Sequence, residues 1–409
     1  MMQASNDKSE TLGYTEFMKI ITTTAELAEA CRTIAEHPYV TVDTEFLRES
    51  TFWPELCLLQ MACPSDAYIV DVLAKGIELT PFFELMANHG VVKVFHAARQ
   101  DIEIIYNLGG LIPHPVFDTQ VAAMVCGYGD SISYDQLVFR IANQHIDKSS
   151  RFTDWKRRPL TEKQLDYALA DVTHLRQVYQ SIKANLEEQG RTHWVAEEME
   201  ILTSRETYDL PPGDAWQRLK LRVRKPREFA LLQKLAEWRE QTARSSNVPR
   251  GRVIKDEAIY EICGHPPKTM NDLAELRGLS RGFDRNRYGN DLLAVVKAAM
   301  EMPKQDLPSL PPQRQAPEGT GAATEMLKVL LKVIVEQHGV AAKVIATVDD
   351  LERIAADDEA DVPALKGWRR ELFGEMALKL KNGGLALGYN RKAVMIIELG
   401  DDQKRQAAE

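Results

Sequence analysis

The 409-residue chain has no apolar run near the roughly 18 residues that a membrane-spanning helix requires. Its first ten residues are polar, so no signal peptide is expected there. Cysteine is sparse. The five present (Cys31, Cys57, Cys63, Cys126 and Cys263) form no CxxC pair. That argues against a zinc ribbon or a disulfide framework and fits a reducing cytoplasm. A Gly-Lys-Ser/Thr loop is also absent, so no P-loop ATPase is expected. These absences point to a cytoplasmic globular protein with no membrane association, and nothing in the sequence calls for an obligate protein partner.

What is present is ordinary in amount and uneven in placement. Hydrophobic residues make up 44% of the chain and charged residues 27%, as in globular proteins. The length predicts about two to four domains. The net charge is −9, yet residues 216–300 hold 18 lysines and arginines against 10 acids, leaving −17 for the remainder. A basic module in an acidic protein points to a polyanion partner; a solvated basic surface is the plainer alternative.

The stretch Val40-Thr-Val-Asp-Thr-Glu-Phe46 reads as a buried strand with two acids in it. Alternation places Thr41, Asp43 and Glu45 on one face. Two same-face carboxylates repel, and two readings fit: an edge strand with a wet face, or oxygen ligands for a hard divalent cation.

Further strands are expected at Leu56–Ala62, Ala67–Asp71 and Val91–Phe95, the first two forming an antiparallel meander with the acidic strand. A capping box, Thr23-x-x-Glu26, opens a helix carrying Leu27, Ala30, Cys31 and Ile34. Helical periodicity then marks residues 98–109, 119–127, 134–143 and a long helix from about Thr161 to Glu188. Strands followed by helices predict a mixed α/β core. Pro211-Pro-Gly213 marks a boundary, and Met302–Gly321 is rich in proline. Helical patterns occupy 216–300 and again 323–398. The two read as divergent copies of one unit, with Met270–Leu276 matching Val348–Ile354.

Two more acids stand on apolar faces. Asp101 shares a helix face with Ile104, Ile105 and Leu108, and Asp171 follows Tyr167 at i+4 on a face continued by Leu175 and Val178. Taken singly, each has a local explanation, a helix-dipole contact for Asp101 and a Tyr–Asp hydrogen bond for Asp171. Together, Asp43, Glu45, Asp101 and Asp171 cannot all ionise without a counter-charge, and two divalent ions would supply it.

Asp43-x-Glu45, His96-x4-Asp101 and Tyr167-x3-Asp171 resemble the three motifs of the DEDD exonuclease superfamily in its tyrosine-containing branch. Leu59-Gln60, Phe117-Asp-Thr-Gln120, Asp147-Lys-Ser and Asp154-Trp-x3-Pro159-Leu-Thr-Glu extend the resemblance to the ribonuclease D family over nearly the whole chain. Residues 216–300 are similar to the HRDC domain shared with RecQ-type helicases. The resemblance implies an α/β mixed-sheet, ribonuclease H-like exonuclease core followed by two all-α, HRDC-like domains. The expected limits are 16–205, 214–301, a Pro-rich linker over 302–322, and 323–398. It implies metal-dependent 3′–5′ removal of nucleotides from RNA, typically tRNA precursors, with two ions of Mg²⁺ or Mn²⁺. Asp43, Glu45 and Asp171 would hold one ion. Asp43 would bridge to the second, Asp101 would reach that one through water, and Tyr167 would hydrogen-bond the attacking water. A DNA 3′ exonuclease and an RNA-binding scaffold with a dead core are the alternatives; the intact acids argue against the scaffold.

Several neighbours are candidates for substrate contact. His96 ends a strand beside the acids, where a phosphate contact competes with a structural role. Lys148, Arg151 and Trp155 lie in a stretch mixing cations with aromatics, with packing the better reading for Trp155. Phe52, with Trp53, is placed to wedge a terminal base. Arg218, Lys220, Arg222, Arg224, Lys225 and Arg227 are candidate phosphate contacts in the basic module. Asp118 precedes a helix and reads as an N-cap.

Overall fold

The structure, a computed structural model, describes residues 18–283, 287–311 and 320–400. Six strands form one mixed sheet: β1 (Met18–Ile21), β2 (Tyr39–Leu47), β3 (Glu55–Ala62), β4 (Ala67–Val70), β5 (Val92–Phe95) and β6 (Val116–Asp118). Their order across the sheet is β1-β4-β3-β2-β5-β6. The expected meander is there, as β2 pairs antiparallel with β3 and β3 with β4. Parallel pairs then extend the sheet on both sides. The sequence pattern does not mark β1 or β6. They are edge strands of four and three residues, too short to show a period.

The helices of this part are α1 (Thr24–Ala35), α2 (Thr80–Ala87), α3 (Arg99–Gly109), α4 (Thr119–Val125), α5 (Tyr134–Ala142), α6 (Glu162–Glu188) and α7 (Thr192–Leu202). The capping box at Thr23 and Glu26 starts α1, which buries the four residues its periodicity predicts. A second capping box, Thr161 with Gln164, starts α6. This helix lies across β2, β3 and β4. Fully buried Ala168 and Val172 keep it close to the strands, and the Thr41 hydroxyl reaches the Val172 carbonyl at 2.8 Å. Strand β2 and helix α6 are therefore fixed at the level where both carry acids.

The remainder is mainly helical: α8 (Pro226–Ser245), α9 (Arg250–Val253), α10 (Asp256–Gly264), α11 (Met270–Glu275), α12 (Gly289–Glu301), then α13 (Thr320–His338), α14 (Ala342–Ile345), α15 (Val348–Ala356), α16 (Gly367–Arg369) and α17 (Glu375–Lys381). The expectation that the second segment is all-α needs correction. It ends in an antiparallel hairpin of β7 (Leu385–Tyr389) and β8 (Val394–Glu398). Gly383-Gly384 stops the helical run, Val394-Met-Ile-Ile favours strand, and Arg391 takes a left-handed turn (φ 75°) between the arms. By element order α15 follows a one-turn helix as α10 does, so it corresponds to α10 rather than to α11. Part of the proline-rich stretch, residues 312–319, lies outside the described residues.

Both helical segments are bound to the nuclease part. Trp368 stacks on Trp194 of α7 at 4.5 Å and donates to Glu198, which also pairs with Arg369 at 2.7 Å. Gly127 (φ 83°) admits the Gly339 carbonyl so closely that a Cβ would lie 2.6 Å from it. No helix of the described residues is long and apolar enough to cross a membrane.

Candidate active site

Strand β2 presents Asp43 and Glu45, and α6 presents Asp171. Among the described residues these three form a group whose carboxylate oxygens lie within 4.8 Å of one another. Asp101, on the first turn of α3, is outside that group. It is buried and held by the hydroxyl of Thr44, the residue between the two strand acids. The turn that launches α3 is itself constrained. Buried Asp118 accepts from the backbone of Ala97 at 3.0 Å and Ala98 at 2.8 Å while capping α4 through Gln120 at 2.8 Å. Ala97 is left-handed there (φ 62°), a strained conformation that Asp118 holds in place. The N-cap reading of Asp118 thus covers half of what this residue does.

The electrostatics are those of acids short of counter-charge. Burial, then Asp171, Asp101 and Glu45, drive the Asp43 carboxyl well above the usual range. Burial with Asp171 and Asp101 pushes Glu45 up to about 9, only partly offset by Arg151. Asp171 is raised to about 7 by burial, against the hydrogen bond from Tyr167 and the charge of Arg151. Asp101 is also raised to about 7 by burial, against its bond from Thr44. Tyr167 is held protonated by burial and by the acids around it. Three carboxylates at this spacing, with no lysine in the group, fit a hard divalent cation with oxygen ligands.

The acids open into a cavity of about 300 Å³ lined by Asp43, Tyr167, Asp171, Tyr134, Lys148 and Arg151 among others. Sequence reasoning missed Tyr134. It is packed between α5 and α6, with its hydroxyl donating to the Ala170 carbonyl at 3.1 Å.

Residues 18–187 match the 3′–5′ exonuclease family and residues 228–296 the HRDC domain. Ribonuclease D of Nitrobacter hamburgensis is 58% identical over 381 residues, spanning 93% of this chain and 100% of the relative. Ribonuclease D of Bartonella henselae is 50% identical, over 91% of this chain and 92% of its own. The chain belongs to the ribonuclease D family. The crystal structure of Escherichia coli RNase D, an exoribonuclease involved in structured RNA processing, superposes with a TM-score of 0.80 at 29% identity. It covers 88% of this chain and 97% of that one. The protein is a 3′–5′ exoribonuclease of this family, and its nuclease fold is of a divalent-metal-dependent type.

The predicted substrate residues fall into two groups. Lys148 and Arg151 line the cavity, and Lys148 also pairs with Asp135 at 2.6 Å. His96 lines it too, but both ring nitrogens are engaged, with Thr119 at 3.0 Å and the Ile132 carbonyl at 3.2 Å. Burial pulls its pKa down, so a neutral, structural imidazole is what the site holds.

Of the two aromatic candidates, Trp155 packs, as the better reading has it, and Phe52 needs correction. Trp155 is 2% exposed and packs with Leu58, Ile69, Ala168 and Leu169 behind Tyr167, where no base can reach it. Phe52 is 6% exposed and belongs to the core of the first helical segment. Asn247 receives the Phe52 and Trp53 backbone N–H groups at 3.1 Å each, and Arg250 lies 4.5 Å over the Phe52 ring. The pair docks this loop and cannot wedge a terminal base. Arg222 sits over Tyr260, and Lys225 pairs with Glu228. Neither these two nor Arg224 lines the cavity. The aromatic that does face solvent is Phe152, 90% exposed, with the Arg151 guanidinium 5.1 Å over its ring.

Proposed function

We propose that this protein shortens RNA 3′ ends one nucleotide at a time, releasing nucleoside 5′-monophosphates, with structured RNAs such as tRNA precursors as its substrates. The observation that carries the reading is the Asp43–Glu45–Asp171 group beside Tyr167 at the floor of an open cavity. Asp43, Glu45 and Asp171 would hold one Mg²⁺ or Mn²⁺, and Asp43 with Asp101, the latter through water, would hold a second. When bound, such ions supply an activated water and charge stabilisation for in-line displacement at phosphorus.

The chain's own residues do the rest. Tyr167, kept protonated, is a hydroxyl partner for the attacking water rather than a base. Arg151 and Lys148 meet the phosphates entering the cavity, and Phe152 offers a stacking face for a base beside Arg151. The nuclease is assigned to 16–205 in this reading, a helical module to 214–301, and a mainly helical module that ends in the β7–β8 hairpin to 323–398. The five cysteines are all unpaired, four of them buried, which suits a reducing cytoplasm.

The test is a 5′-labelled RNA with a single-stranded 3′ overhang, beside a matched DNA, given the full-length protein and Mg²⁺ or Mn²⁺. The RNA should shorten stepwise, and chelator or Asp43→Ala should stop it. Intact 3′ ends with metal present would sink the reading, and equal shortening of the DNA would remove its RNA specificity.

A further inference from the structure

Gln60 of β3 stands directly opposite Asp43 in the β2–β3 pairing, so both side chains lie on the face that α6 covers. It is fully buried, and neither its amide nitrogen nor its amide oxygen has a hydrogen-bond partner. Apart from Asp43, its neighbours on that face are apolar. Leu58 precedes it by two, Ile69 faces it from β4, and Ala168 and Leu169 close the layer from α6. Each buried amide group left unpaired destabilises the fold. A leucine or methionine would fill this layer without that cost, so packing does not account for a glutamine here.

The acceptor beside it is the Asp43 carboxylate. Directly opposed residues of an antiparallel pair have Cβ atoms about 5 Å apart, within the span of a glutamine side chain. Carboxylates that ligate metals are themselves hydrogen-bonded, which fixes the direction of their lone pairs. We propose that Gln60 is a positioning residue for Asp43: its amide N–H donates to the Asp43 carboxylate that holds a divalent cation and sets how Asp43 offers its oxygens. This rests on the reading of Asp43 as a metal ligand.

The residue type suits the task. A lysine here would compete with the cation, and a glutamate would add a further negative charge to the acids already crowded there. An amide donates without charge. The Trp155 indole N–H is a second orphaned donor of the same layer.

The test separates this role from packing by its two signs. In Gln60→Leu, measured on the full chain, the orphan amide is gone, so the metal-free unfolding midpoint should equal or exceed the parent's. Mn²⁺ affinity by titration calorimetry should fall about 10- to 100-fold. Unchanged Mn²⁺ affinity overturns the proposal. So does a fall in affinity accompanied by a lower metal-free midpoint, which is the signature of disturbed packing. Gln60→Met, unbranched and of similar length, takes its place if the leucine variant does not fold. Parent and Asp43→Asn are titrated alongside. A parent that binds no Mn²⁺ overturns the metal-site reading itself. A parent that binds, an Asp43→Asn that does not, and a Gln60→Leu that binds like the parent overturn the role of Gln60 alone.

Discussion

Without divalent ions the protein should lose thermal stability as pH rises through neutrality, and a saturating ion should suppress the loss. Asp101 and Asp171 titrate near 7 in the fold against an ordinary 3.8, and Glu45 near 9 against 4.5. Above the ordinary value the unfolded chain has released these protons while the folded chain keeps them. The folded state then binds more protons, so its stability falls with rising pH. Their contribution is whole below about pH 4 and is lost for Asp101 and Asp171 once pH passes about 7. At 1.36 kcal/mol per pH unit, a rise of about three units is worth on the order of 4 kcal/mol for each buried acid. For a unit of about 200 residues, that is a drop of roughly 10 °C per acid. His96 and His174, held neutral by burial, pull the other way but only below about 6.5. The assay is thermal unfolding by circular dichroism in chelator across this range, with Mn²⁺ added in parallel. Asp171→Asn, which removes one of the trapped charges, should be more stable than the parent in chelator at alkaline pH. A metal-free midpoint that stays flat or climbs through neutrality, with no gain from Asp171→Asn, would refute the reasoning.

Three further outcomes are expected. Tyr167→Phe should slow single-turnover cleavage on the order of 100-fold with Mn²⁺ and RNA affinities unchanged, because it removes only the hydroxyl proposed to meet the attacking water. Phe152→Ala should weaken RNA binding by about 1–3 kcal/mol in a fluorescence titration, and Phe152→Trp should restore it. Glu240→Ala should cost about 3–5 kcal/mol in denaturant unfolding, since buried Glu240 is the shared anion of Arg244 at 3.0 Å and of Arg250.

Much of the nuclease was legible because its signals are short-range. Asp43 and Glu45 share a face by the period of a strand, and Tyr167 and Asp171 by the turn of a helix. The capping boxes at Thr23 and Thr161 fix where α1 and α6 begin. What escaped depends on contacts that the local pattern does not encode. Phe52 reads alike whether it faces a substrate or a neighbouring module, and only Asn247, nearly two hundred residues away, decides. Leu108 is predicted on the buried face of α3 but is 52% exposed, because the helix ends there and leaves the core. The hairpin of β7 and β8 is legible in principle: Gly383-Gly384 breaks the helical pattern, and Val394-Met-Ile-Ile beyond it is a strand signal.

Charge counting was the weakest guide, for a physical reason. Four arginines of the first helical segment serve as internal fasteners. Arg227 donates to the carbonyls that end α12, at 3.1 Å from Ala299 and 3.0 Å from Met300. Arg239 pairs with Asp256 at 2.6 Å, and Arg244 and Arg250 close on Glu240. Those last two also flank Phe52, so the same cations hold the loop that leaves β2 just beyond Glu45. On the other side Lys343 reaches Ser131, which lines the cavity, at 3.1 Å, while its backbone N–H meets Asp130. The second helical segment thus holds one wall of the cavity, and the first holds the loop that follows the acidic strand. The charge of Arg239, Arg244 and Arg250 is answered by Asp256 and Glu240 rather than left for phosphate. Of the predicted phosphate contacts, Lys148 and Arg151, inside the nuclease itself, are the ones that stand at the acids.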